Sequence, residues 1–253
     1  MSGRERITPF EAARGVWLER YRSAPVIFLA GSVMRGEATQ TSDLDIVVVF
    51  EKLESPFRES LTFGGWPIEA FANDVDGLRG VYERERKRGL SPMMNMVIEG
   101  TEVPEASELS ARLKREALEV YELGPAPLDP DEMRLRRYRL TDWIDDIRFP
   151  RTSEELVASG AWLYQDAADF FFRSKGLWSA HSKTIPRRMR KVDSEFASKF
   201  LAAFDALFTE KRSAAAIALV EEMLAPYGGT LFDGFHMDVR LREKLRVTSE
   251  GSE

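Results

Sequence analysis

Asp43 and Asp45 stand two residues apart at the start of a run that continues Ile46, Val47, Val48, Val49 and Phe50. Residues i and i+2 of a strand share a face, so the two carboxylates project together from Cα atoms roughly 6.5–7 Å apart. Charges that close repel unless a proton or a cation lies between them, and removal from water adds to the cost. The cation that suits a pair of hard oxygen ligands, with water and phosphate oxygens completing its shell, is Mg²⁺. Upstream, Gly31-Ser32 follows the apolar run Val26-Ile27-Phe28-Leu29-Ala30. It precedes a stretch, about Val33 to Glu37, that reads as a short helix. Backbone N–H groups and a hydroxyl in such a turn can grip a phosphate. A phosphate cradle beside paired carboxylates is the equipment of a nucleoside-triphosphate site.

Capping signals and periodicity outline the helices and strands around these residues. Thr8-Pro9-Phe10-Glu11 has the form of a helix start, with a capping threonine, proline in the first turn and a capping-box glutamate. That helix is expected to run to about Tyr21, burying Ala12, Val16, Trp17 and Leu18. Pro25 ends it, and residues 26–30 and 44–50 read as buried strands. Phe63-Gly64-Gly65-Trp66 is a turn signal, and Ile68 to Ala72 alternates as a strand. Residues 76–90 look helical with a charged outer face and are stopped by Pro92. Met93 to Val97 is an apolar run. The expected fold class is α/β (α+β): a small mixed sheet with helices, followed by a helical bundle.

Beyond Val103 the character changes. Residues 105–121 have helical spacing, and Gly124-Pro125-Ala126-Pro127 is a rigid break. The domain division expected from this is 1–125, then 126–245, with 246–253 as a small, polar, flexible tail. Helical spacing over 129–147, 152–174, 185–208 and 213–224 describes a bundle of roughly four to five helices.

Bulk composition excludes several classes. The 253 residues carry a formal charge of −6, which disfavours a nucleic-acid-coating protein. There is no cysteine, hence no disulfide framework and no thiolate nucleophile or metal ligand. His181 and His236 are the two histidines, too few for a multi-histidine zinc centre. The first fifteen residues lack an apolar core, and no stretch approaches the ~18 apolar residues that span a bilayer. A soluble cytoplasmic protein without a membrane partner is expected.

Taken together, Gly31-Ser32-Val33-Met34-Arg35-Gly36, a polar connector, and Ser42-Asp43-Leu44-Asp45-Ile46-Val47-Val48 closely resemble a known pattern. It is that of the nucleotidyltransferase superfamily, which includes DNA polymerase β and the aminoglycoside nucleotidyltransferases. The motif reads GSxxRGxxxxxSDxDhhV, and every fixed position is matched. The resemblance implies an in-line nucleotidyl transfer from ATP. Asp43 and Asp45 would hold Mg²⁺ (two ions), and Gly31 and Ser32 would hold the β- and γ-phosphates. It also implies a third carboxylate on a neighbouring strand, either a general base toward the acceptor hydroxyl or a further metal ligand. Glu69 fits best because it interrupts an apolar strand. Asp74 is the alternative, although Asn73-Asp74 with Asp76-Gly77 reads as a turn and helix cap. Arg35 has two readings, a phosphate contact or a salt bridge within the turn. Ser42 likewise either bonds a phosphate or caps the turn.

The helical half resembles the bundle of the kanamycin- and streptomycin-type enzymes, which closes over the nucleotide and helps choose the acceptor. Lys183, Arg187, Arg190 and Lys191 fall on one helix face. Of these, Lys183 and Arg187 are the candidates for the triphosphate, against a plain solvated face. Asp142, Asp145, Asp146, Asp166 and Asp169 either line a pocket for a cationic acceptor such as an aminoglycoside antibiotic or form solvated faces. Trp162, Tyr164 and Phe170–Phe172 read as packing residues, and His181 as a capping or surface residue. Two alternatives stand beside a small-molecule acceptor. One is an antitoxin-type enzyme modifying a protein or RNA. The ribonuclease partner of such enzymes needs an arginine and histidine closer than Arg173 and His181, which have seven residues between them. The other is a non-catalytic nucleotide sensor, which would not be expected to keep the charged pair. The acidic balance disfavours polymerase activity. Completion of the site by a second copy, a homodimer, is left open.

Overall fold

The computed structural model describes residues 6–238. Two compact units emerge. One comprises the residues up to Lys87 together with Ser91–Gly124, the other Arg88–Leu90 together with the residues from Pro125 onward. The tail expected at 246–253 lies outside the described residues.

The first unit is built on a five-stranded sheet. Its strands are β1 (Val26–Ala30), β2 (Leu44–Phe50), β3 (Phe57–Phe63), β4 (Trp66–Asp74) and β5 (Thr101–Val103). The order across the sheet is β3-β4-β2-β1-β5. The β2–β4 pair is parallel and the other pairs are antiparallel. The β1 and β2 runs are apolar on both faces because both faces are covered. Val26 through Ala30 and Ile46 through Val49 are all buried. Each such Val, Ile, Leu or Phe contributes about 1.5–3 kcal/mol when withdrawn from water. That stiff centre is what holds carboxylates at the strand ends.

Helix α1 (Pro9–Arg20) covers one face. Its capping box is formed as expected: Glu11 N–H donates to Thr8 Oγ1, and Thr8 N–H to Glu11 Oε2. Its buried side is Ala12, Ala13 and Val16, with Trp17 half-buried. Leu18, expected to be buried, is 47% exposed because the sheet meets the small alanine side of the helix. Helix α2 (Val75–Arg88) ends before Gly89, whose φ is +76°. Pro92 therefore does not stop that helix; it opens α3 (Pro92–Glu99), which contains the Met93–Val97 run and lies against β1 and β2. Ser91 provides no side-chain cap for α3. The buried Glu85 of α2 does so instead, accepting from Met93 N–H at 2.6 Å and Met94 N–H at 3.1 Å. Helix α4 (Glu108–Glu122) packs on α3.

Among its described residues the second unit contains helices and connecting turns but no strand. It contains α5 (Pro130–Arg148), α6 (Ser153–Arg173), α7 (Ile185–Val192), α8 (Ser194–Glu210) and α9 (Ala214–Leu224). The helix expected over 185–208 is two helices. Asp193 adopts an extended conformation (φ −155°, ψ 97°), and its side chain accepts from Phe196 N–H, so it starts α8 as a cap. The core gathers Ile144, Leu163, Phe170, Phe172, Met189, Phe200, Phe204, Leu207 and Val220. Among the described residues no helix is long and apolar enough to cross a membrane.

Candidate functional site

The site grows from the β1–β2 connection. Ala30 and Asp45 are opposite each other in the antiparallel register, so the turn after Ala30 begins beside the Asp45 carboxylate. Gly31 takes φ +88°, and a Cβ there would overlap Asp45 Oδ2. Only glycine meets both conditions. The short helix expected over Val33 to Glu37 is absent. Residues 32–36 form turns closed by Gly36 N–H to Val33 C=O (3.2 Å) and Glu37 N–H to Ser32 C=O (2.9 Å). Gly36 at φ +72° turns the chain away before a helix can propagate. The connection thus presents a glycine-serine turn and not a helix N-terminus.

Ser42 is buried and holds this connection together. Its hydroxyl accepts from Thr39 N–H (2.8 Å) and from the Ser32 hydroxyl (3.3 Å). These bonds are those of a turn cap. Arg35 pairs with Glu37 and Glu99, each at 3.4 Å.

Strand β4 brings the third carboxylate. In the parallel register Asp45 faces Glu69, so both sit on one face of adjacent strands. Asp43, two residues before Asp45, joins them. One oxygen from each of Asp43, Asp45 and Glu69 lies within 4.8 Å of the others, and all three residues are half-buried. The electrostatic consequence falls on Asp45. Burial, then the charges of Asp43 and Glu69, push its carboxyl up to about 6, against the opposing pull of Arg35 and Arg58. Three hard oxygen donors sharing unfavourable negative charge fit a divalent cation such as Mg²⁺. Asp74 is elsewhere. Its carboxylate accepts from Gly77 N–H (2.8 Å) and Leu53 N–H (3.0 Å), capping α2, and these bonds hold its pKa below the usual carboxylate range.

Sequence reading missed Arg58, whose Nη2 donates to Glu69 Oε2 at 2.5 Å. It rides on β3, a strand the sequence reading left out. Part of a signal was present: Phe57, Leu61 and Phe63 stand at odd positions, though Glu59 breaks the alternation, and Gly64-Gly65 (φ +55° and +85°) makes the two-residue hairpin to Trp66.

Lys183 and Arg187 belong to the helical unit, whereas the carboxylates belong to the sheet unit. Lys183 lies in a single turn (Ser182–Thr184) before α7 rather than in the helix, and both side chains are exposed. The acidic set of that unit is largely engaged. Asp166 pairs with Arg139 (2.8 Å) and accepts from Trp143 Nε1 (2.9 Å). Asp169 pairs with Arg136, Asp145 with Arg148, and Asp146 accepts from Ser159. Burial and the neighbouring Asp146 and Asp145 raise the Asp142 carboxyl. Trp162, read as a packing residue, is 59% exposed and stacks on Trp143. Arg173 is buried and His181 exposed.

The chain matches no curated protein. Among solved structures, a nucleotidyltransferase-like protein from Exiguobacterium sibiricum 255-15 is similar at 15% identity and a TM-score of 0.45. That match covers 87% of this chain and 75% of the other. Residues 14–89, which hold the Gly31-Ser32 turn and all three clustered carboxylates, match the nucleotidyltransferase domain model. Residues 14–89 of the chain are thus similar to a nucleotidyltransferase domain.

Proposed function

We propose that this protein is a Mg²⁺-dependent enzyme that moves AMP from ATP onto a hydroxyl of a small-molecule acceptor. Aminoglycoside-type antibiotics are the first acceptor class to test. The observation that carries this reading is the convergence of Asp43, Asp45 and Glu69 beside the Gly31-Ser32 turn. Asp43, Asp45 and Glu69 would hold the cation, and the turn's N–H groups and the Ser32 hydroxyl orient the β- and γ-phosphates. The bound metal supplies charge neutralisation on the triphosphate and electrophilic activation of the α-phosphorus. Glu69, besides lending an oxygen to the metal site, receives the proton of the attacking hydroxyl. A bond forms between the acceptor oxygen and the α-phosphorus, the bridge from α- to β-phosphate breaks, and pyrophosphate leaves. In this reading residues 1–125 perform the transfer and the helical residues 126–245 select the acceptor.

The test is incubation with Mg²⁺ and α-labelled ATP against aminoglycosides, other hydroxylated antibiotics and candidate proteins. Label on a small-molecule acceptor with matched pyrophosphate release is expected. Label on a protein would move the assignment to the antitoxin-type class. No release with any acceptor, combined with no ATP or Mg²⁺ binding, would contradict an enzymatic role.

A further inference from the structure

Arg58 crosses the sheet face diagonally. Its cross-strand partner on β4 is Phe71, and its guanidinium lies 5.1 Å from the centre of that ring. From there Nη2 reaches back two residues along β4 to Glu69 Oε2 at 2.5 Å. Glu69 is thus flanked by a guanidinium from β3 and by Asp45 from β2. An exposed ion pair ordinarily contributes little, since two long side chains must be ordered for a screened attraction. Here the aromatic shelf orders the arginine in advance, and Glu69 has a short stem on a paired strand. With Oε2 tied, the carboxylate has one orientation along the face instead of several.

We propose that Arg58 is the positioning residue for Glu69, holding its carboxylate in register with Asp43 and Asp45 so that three oxygens converge on one divalent cation. The inference rests on the metal-site reading above. It has a distinctive sign. By charge alone, removing a cation next to three carboxylates would tighten metal binding. By positioning, removing Arg58 loosens it, as loss of an outer partner that orients a ligand does.

The experiment is Mn²⁺ titration of the full chain, followed by the paramagnetic resonance of the free ion. Arg58→Ala is expected to weaken Mn²⁺ binding about tenfold. The Arg58→Ala/Glu69→Gln double variant is expected to bind no worse than Glu69→Gln alone. Millimolar guanidinium should restore Mn²⁺ affinity to Arg58→Ala but not to the double variant, a rescue that general loosening of the fold would not give. Wild-type or tighter binding by Arg58→Ala overturns the proposal, as does a double variant whose losses simply add. Asp45→Ala separates the two levels. If it binds Mn²⁺ like the wild type, the metal-site reading falls, and Arg58's role with it. If it alone loses binding while Arg58→Ala does not, only the Arg58 inference falls.

Discussion

At the Gly31–Asp45 contact a glycine hydrogen stands where any side chain would overlap a carboxylate oxygen. Gly31→Ala adds a methyl group in a left-handed conformation and against Asp45 Oδ2, so it must displace one or the other. It is expected to lose Mn²⁺ binding by tenfold or more, about 1.4 kcal/mol, with a melting temperature lowered by a few degrees. Calorimetric titration and a thermal melt check both. Asp45 makes a second prediction, and its sign follows from linkage. A carboxyl raised to about 6 is disfavoured as an anion in the fold. The fold is therefore helped by protonation at low pH, and that help is lost as pH rises through 6. Without metal at pH 7.5, Asp45→Asn should be more stable than the wild type by about 1–2 kcal/mol after allowance for solvent screening. The advantage should shrink toward pH 4, as melts across this range would reveal. A wild type equally stable relative to Asp45→Asn at both ends would refute the assigned cause. By the same sign, Mn²⁺ affinity should fall as pH drops below 6.

At the scale of elements, α3 depends on a cap from another helix. Ser91 leaves the helix start unsatisfied, and Glu85 accepts two of its N–H groups from a buried position. Glu85→Ala leaves those donors buried without their acceptor and is expected to destabilise the protein by about 2–3 kcal/mol. Urea unfolding measures the loss, and Glu85→Gln should recover part of it. Elements whose signals are local were legible in the sequence: the Thr8–Glu11 cap, the β1 and β2 runs, and α5, α6 and α9. What failed depends on context. The Val33–Glu37 turn has helix-compatible residues, but Gly36 adopts a left-handed conformation that composition does not reveal. β3 is a charged edge strand whose outer positions face water, so apolar alternation is weak there. Missing β3 meant missing Arg58, whereas Glu69 was legible because a charge inside an apolar strand needs a reason. Asp193 has an ordinary capping identity, yet only the observed backbone reveals that it divides one helical pattern into α7 and α8.

For the whole molecule, the two units have separate apolar cores. The sheet unit packs around Ile27, Leu29, Ile46 and Ile68, and the helical unit around Phe170, Phe200, Phe204 and Leu207. The carboxylate cluster draws all its residues from the first unit. Phe204→Ala should therefore destabilise the helical unit by about 3–5 kcal/mol while leaving Mn²⁺ affinity within twofold of the wild type at a temperature where the chain is folded. Paired melting and titration would show it. The most direct test of the central claim is a crystal structure of the full chain with Mn²⁺ and a non-hydrolysable ATP analogue. The predicted result is an anomalous manganese peak bound by Asp43, Asp45 and Glu69, with the β- and γ-phosphates at Gly31-Ser32. Nucleotide bound elsewhere, with no manganese at these carboxylates, would contradict the account.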